Sequence, residues 1–133
     1  MIAIRAALET ALDGMSPSLS TAWENVAFNP PAPGAPYQNA FMILVEPENL
    51  TIGDGVHQES GLLQVNLVYP ANAGTSPAAL RAQLMRATFY RGASFVSGGV
   101  TTIVQRTPEI GNGKTDGDRW VLPVKIRFFA YVN

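Results

Sequence analysis

The sequence contains no cysteine and only one histidine, His57. Without thiols there can be no disulfide framework, no cysteine-based zinc or iron–sulfur site and no thiol nucleophile. A general base at His57 would still need a nucleophile and an orienting partner, which the sequence does not supply, so His57 reads as a solvated loop residue. Glu46 and Glu48, on either side of Pro47 at the end of an apolar run, read as solvated acids rather than a catalytic pair. Long apolar runs are also lacking: nothing approaches the ~18 residues needed to span a bilayer. Met1-Ile-Ala-Ile-Arg5 lacks the basic and apolar regions of a signal peptide, so an unexported chain with no membrane partner is expected. A formal charge of −1 removes the case for a general nucleic-acid binder, which needs a basic excess. No catalytic residue, cofactor or metal site is expected.

What the sequence does have is apolar content: 47% of its 133 residues are hydrophobic. Such a chain can bury roughly 68% of the surface its unfolded form exposes, enough for one domain over residues 1–133. Ile4, Leu8, Ala11, Leu12 and Met15 recur at helical spacing, with Gly14 placed to end the run, which predicts a helix over 2–14. Ser76-Pro77 starts a second helix that runs to Gly92, with Leu80, Leu84, Ala87 and Thr88 on its apolar side, Phe89 in the core and Tyr90 at its boundary. Arg86 and Arg91 suit its C-terminal dipole. Phe89 and Tyr90 beside these arginines could stack single-stranded bases, but helix position favours the packing role.

Strands are predicted at Ala40–Val45, a continuous apolar run expected to be buried on both faces and central, and at Glu59–Tyr69, where Leu63, Val65, Leu67 and Tyr69 alternate with Gln64 and Asn66. Two more are expected to pair with each other, at Val100–Arg106 after the Gly98-Gly99 turn and at Arg119–Val132, where Lys125 and Arg127 face away from the apolar set. Pro123 cannot donate to a ladder, so it marks an edge, a bulge or a non-bonded position. The four prolines within Pro30–Pro36 exclude helix and central strand, and the aromatics around them predict an arm strapped to the body. The order of elements gives an α+β, two-layer fold, a mostly antiparallel sheet with both helices on one face.

Two stretches invite a chemical reading. Gly113-Lys114-Thr115 is the tail of a phosphate-binding loop, but the residue five before Gly113 is Pro108, which has no N–H to offer, and no helix is signalled after Thr115. Asp116-Gly-Asp118 has the spacing of part of a calcium loop without the further oxygens and closing glutamate that calcium needs. Both read as one long flexible hairpin loop between strands. The charge distribution carries more information. Residues 1–80 hold seven acids against one base, Arg5, whereas residues 81–133 hold the other eight bases against Glu109, Asp116 and Asp118. Either the charges mix on the folded surface, or the subunit has an acidic and a basic side suited to head-to-tail association.

Taken together, the opening helix IRAALETAL, the segment STAWENVAFNPP, the strand GLLQVNLVYP, the second helix ending FYRG and the closing DGDRWVLPVKI resemble the small tail terminator, or tail-completion, proteins of long-tailed bacteriophages and prophages. The resemblance implies a structural virion protein, assembled in the host cytoplasm, with no reaction and no cofactor. It implies a homo-oligomeric ring, a hexamer, that sits on the tail tube protein, stops tube polymerisation and meets the head connector and neck proteins. Genomic DNA would pass through that ring without sequence-specific binding. Two kinds of site are expected on this basis. Acids among Glu46, Glu48, Asp54 and Glu59 should approach bases among Arg81, Arg86 and Arg91 across the subunit boundary. The loops 47–58 and 107–118, with Gly53, Asp54, Gly55, His57, Asn112, Lys114, Asp116 and Asp118, should be mobile in the free subunit and order on docking. The alternatives are a head-completion or head–tail adaptor protein, or a small-ligand-binding domain with Trp23, Tyr37 and Trp120 as a pocket wall.

Overall fold

The computed structural model describes every residue except Pro33 and Asp54. In chain order its elements are α1 (Ile2–Asp13), β1 (Ser20–Trp23), β2 (Tyr37–Leu44), β3 (His57–Pro70), α2 (Ser76–Thr88), β4 (Ser94–Ser97), β5 (Val100–Val104), β6 (Glu109–Ile110), β7 (Lys114–Asp116) and β8 (Arg119–Val132). The strands form one sheet in the order β1-β2-β3-β8-β5-β4, and β6 and β7 also pair with β8. Only β1 and β2 run parallel; every other pair is antiparallel. The α+β fold expected from the pattern is the observed one.

The strongest alternation in the sequence builds the centre. β8 pairs with β3 along its whole length, from His57↔Val132 at one end, called the upper end below, to Pro70↔Arg119 at the other. Its opposite side takes β5, β6 and β7 in turn. Leu122, Val124, Ile126, Phe128 and Ala130 all point to one face, with Leu63, Val65 and Leu67 from β3 and Ala40 and Met42 from β2, and all are buried. Helix α1 covers this face with Ile4, Leu8 and Leu12, and α2 with Ala78, Ala82 and Met85. Among the described residues the opposite face carries no helix, and it mixes polar side chains such as Gln64, Asn66, Lys125 and Arg127 with apolar and aromatic ones such as Tyr37, Val68 and Phe129. Pro123 is tolerated in the middle of the sheet for a local reason. Arg127 and Pro123 accept N–H bonds from Gln105 and Gly111 at 2.8 and 2.9 Å, so odd positions of β8 turn their backbone toward β5–β7. The donor that Pro123 lacks therefore falls in the gap between β6 and β7, the non-bonded case of the three expected.

The structure corrects the sequence reading at several points. The run Ala40–Val45 is neither central nor buried on both faces: Ile43, Leu44 and Val45 are 47%, 37% and 54% exposed. β1 is only four residues long and covers β2 from Tyr37 to Ala40, so among the described residues the upper half of β2 has no strand neighbour on that side. In α2 the buried stripe is Ala78, Arg81, Ala82 and Met85, continued by Phe89, while Leu80 is 65% exposed. The 107–118 segment is no simple loop, since β6 and β7 inside it add to β8.

The proline-rich arm is strapped down as expected. Arg119 donates to the carbonyls of Ala35 at 2.6 Å, Pro31 at 2.9 Å and Ala32 at 3.3 Å, and its guanidinium lies 5.3 Å from the centre of the Tyr37 ring. Tyr37 in turn packs on Phe28, with 5.4 Å between ring centres. One planar cation thus satisfies three carbonyls that the prolines leave without a ladder.

Candidate assembly surfaces

The stretch that looks like a phosphate loop has the wrong geometry for one. Lys114–Asp116 is strand β7, exposed and paired with Arg119–Val121, and Gly117, at φ 62°, turns the chain straight back into β8. No helix N-terminus follows Thr115, so neither the dipole nor the ring of backbone N–H groups that would hold a phosphate is present. Gly113 serves packing instead: a Cβ there would lie 2.2 Å from the Trp120 ring. Among the described residues no group of three or more His, Asp or Glu side chains could hold a metal ion. The proposed aromatic pocket wall is also divided. Trp23 and Trp120 pack on the helix-covered core, whereas Tyr37 pairs with Val68 on the other side of the sheet. No helix of the described residues is long and apolar enough to cross a membrane.

The expected assembly residues fall into three groups. Glu46 and Glu48 are exposed just past β2, and Glu48 exchanges backbone bonds with Gln58 at 3.0 and 2.7 Å. Glu59 is half-buried on β3, 3.0 Å from Nε2 of His57, so His57 is a strand residue rather than the solvated loop residue expected. Asp54 lies outside the described residues. These acids mark the upper end of β2 and β3, beside exposed Gly53 and Gly55.

On the basic side, Arg86 and Arg91 are exposed and Arg81 is not. Arg86 holds the Pro108 carbonyl at 2.9 Å. Arg81 is 5% exposed and donates to the Pro17 carbonyl, with burial lowering its pKa against a partial opposing effect of Tyr69. It holds α2 against the chain after α1 and has no surface to offer a partner. Other bases, brought in from different elements, do reach the surface together. Arg91, Gln105, Arg106 and Thr107 line a depression of about 440 Å3, which adjoins one of about 250 Å3 lined by Arg106, Thr107, Glu109, Lys125 and Arg127. Arg91, Arg106, Lys125 and Arg127 make no ion pair among the described residues, and Glu109 is the one acid beside them. Lys125 and Arg127 were legible as the polar side of β8. Arg106 joins them only because Gln105 bonds to Arg127 across the β5–β8 ladder.

Of the other residues expected to dock, Asn112 and Lys114 line a shallow hollow of about 260 Å3 over the helix-free face, with Gln64, Asn66, Val121 and Pro123. Asp116 and Asp118 stay exposed at the β7–β8 turn, and the Asp118 carbonyl accepts the Ala71 N–H at 2.9 Å.

One acid on the β2 side has a defined task. The Glu24 carboxylate accepts the Met42 N–H at 2.5 Å and an Arg5 N–H at 3.0 Å, while Arg5 also reaches Glu9 at 3.4 Å. The Met42 bond, against an opposing effect of burial and with help from Arg5, holds Glu24 below the ordinary glutamate value of 4.5. A carboxyl whose folded pKa is depressed contributes stability that is fully present above its unfolded value and is lost as pH falls through the folded one. Glu24→Gln should therefore flatten the acid limb of the stability curve below pH 4.5. Urea unfolding from neutral to acid pH checks this, and an unchanged acid slope would assign that limb to other carboxyls.

A family model described as phage tail terminator protein matches residues 3–128, nearly the whole fold. A solved structure 29% identical to this chain superposes with a TM-score of 0.77, covering 96% of this chain and 92% of the other. No curated protein matches.

Proposed function

Because the chain belongs to the phage tail terminator family, we propose that it forms a ring of six subunits that caps the tail tube, stops its growth and gives the head connector a surface to join. It is a structural protein of the phage tail. The observation that carries the ring is the separation of charge on one subunit. Glu46, Glu48 and Glu59 lie around the upper end of β2 and β3, and Arg91, Arg106, Lys125 and Arg127 lie along the flank formed by β5, β6 and β8. A closed ring is built from heterologous contacts, in which one patch meets a different patch on the next copy, and opposite charges both steer and orient such contacts. Assembly in the host cytoplasm and passage of genomic DNA through the ring without base reading belong to the same proposal.

The test adds purified protein to tube subunits that are polymerising. Tubes should stop growing at one end and carry a ring of added density there, whereas tubes that lengthen as before would reject capping. The charge contact is tested with the pair Arg91→Glu and Arg106→Glu, expected to weaken ring assembly by about tenfold or more at low salt and less at high salt. Equal assembly of this variant and the parent at low salt would reject the basic flank as the contact.

A further inference from the structure

The sheet ends in two open edges, and both are built unlike the edges of a protein that stays alone. β4 is the last strand on one side. Ala93 accepts the Val104 N–H at 2.9 Å, so odd residues there bond to β5 and the backbones of Ser94 and Val96 point outward, with no partner among the described residues. Beside this edge runs a groove of about 660 Å3 floored by the small side chains of α1, Ala6, Ala7, Thr10 and Ala11, with room for an incoming strand. On the other side the Val45 N–H donates to Ser60 at 3.0 Å, so odd residues of β2 bond to β3 and even ones face away. β1 covers that side only as far as the Trp23↔Ala40 pair. Beyond it, Met42 donates to Glu24, and the Leu44 N–H has no partner among the described residues.

Monomeric proteins blunt such edges with lysines, prolines or inward charges. Ser94-Phe-Val-Ser97 carries none of these, with Val96 68% exposed, and Ile43-Leu-Val45 is equally unprotected. The two edges also suit one another. Four antiparallel steps separate β4 from β2, so they run in the same direction, and a rotation about an axis near that direction brings β4 of one copy beside β2 of the next. The β2 edge is flanked by Glu24, Glu46 and Glu48, and the β4 edge by Arg91 and Arg106. On the ring reading above, we propose that the sheet continues from subunit to subunit, with β4 of one copy pairing through its backbone, in parallel, with the upper edge of β2 of its neighbour. Main-chain bonds then supply affinity and the flanking charges supply register. This is a different contact from a rim of ion pairs alone, because it survives salt.

Proline tests it directly, since proline is tolerated where the missing N–H faces solvent. Val96→Pro and Leu44→Pro should leave the subunit folded, with a melting temperature within a few degrees of the parent. Each should raise the concentration for half-assembly, in solution or on tail tubes, by about tenfold or more. Val96→Thr, which keeps the N–H, should assemble like the parent. If a proline variant melts early, Val96→Lys, an edge charge of the natural kind, carries the same expectation. Rings that form as before with Val96→Pro and Leu44→Pro, or with Val96→Lys, would overturn the continuous sheet and leave the ring reading intact. A parent that stays a single subunit at every concentration, with tubes as well as without, would reject the ring itself and this contact with it.

Discussion

Replacing Gly61 with alanine will cost the fold about 3 kcal/mol and lower its melting temperature by roughly 10 °C. The reason is space. A Cβ at Gly61 would lie 2.3 Å from the carbonyl oxygen of Ile43 and 3.2 Å from both the Leu44 Cα and the Phe128 ring. The two nearest obstacles are backbone, which cannot swing aside as the end of a long side chain can. Gly61 pairs with Leu44 on one side and Phe128 on the other, so relief requires β2 or β8 to shift within the sheet. The substitution therefore also moves the open edge of β2 that carries Leu44. Thermal and urea unfolding measure the loss, and a change below about 0.5 kcal/mol, the scale of an ordinary surface substitution, would show that the strands part more easily than this packing implies.

Arg81→Glu comes second, with an expected loss of about 3–5 kcal/mol in the subunit itself, whatever its state of assembly. The parent guanidinium donates to the Pro17 carbonyl in a buried site, and two of its nitrogens, Nε and one Nη, have no partner there. A carboxylate in the same place would bring an unpaired negative charge against a carbonyl oxygen, far from water. Arg81→Met separates charge from shape. It keeps the packing of the long stem, removes the buried cation and leaves one carbonyl unbonded, so its cost should be about 1–3 kcal/mol and well below that of glutamate. Chemical unfolding at low protein concentration, where assembly does not contribute, gives both values. An Arg81→Glu variant that unfolds like the parent but no longer forms rings would return Arg81 to the interface.

Arg81 also shows why part of the molecule was not legible in one dimension. Two stripes run along the second helix at helical spacing. Leu80, Leu84, Ala87 and Thr88 make the more hydrophobic one, whereas Ala78, Arg81, Ala82, Met85 and Phe89 make the one that is buried. The second wins because its alanines let the helix approach the sheet closely and because Phe89 fills the space beside Phe95, with 5.4 Å between ring centres. Hydropathy ranks the stripes by side chain, but the sheet surface selects by fit. The Ile43-Leu-Val45 run misleads in a related way. An unbroken apolar run means burial when neighbours exist on both sides, and the number of neighbours is set by the length of β1, which is a property of another segment.

What the sequence determined alone was whatever depends on local periodicity and stereochemistry: α1, the alternating strands β3 and β8, the β5 strand after two glycines, and the lack of a P-loop cradle around Lys114. Those follow from each segment's own backbone and side chains, so no distant residue can reverse them. Tertiary structure decided which strand ends lie open, which face of α2 is inside, and that Arg91, Arg106, Lys125 and Arg127 share one flank. Each of these depends on β-ladders and helix packing that join residues far apart in the chain, and the order in which strands meet is fixed by the energy of the whole core rather than by any segment within it.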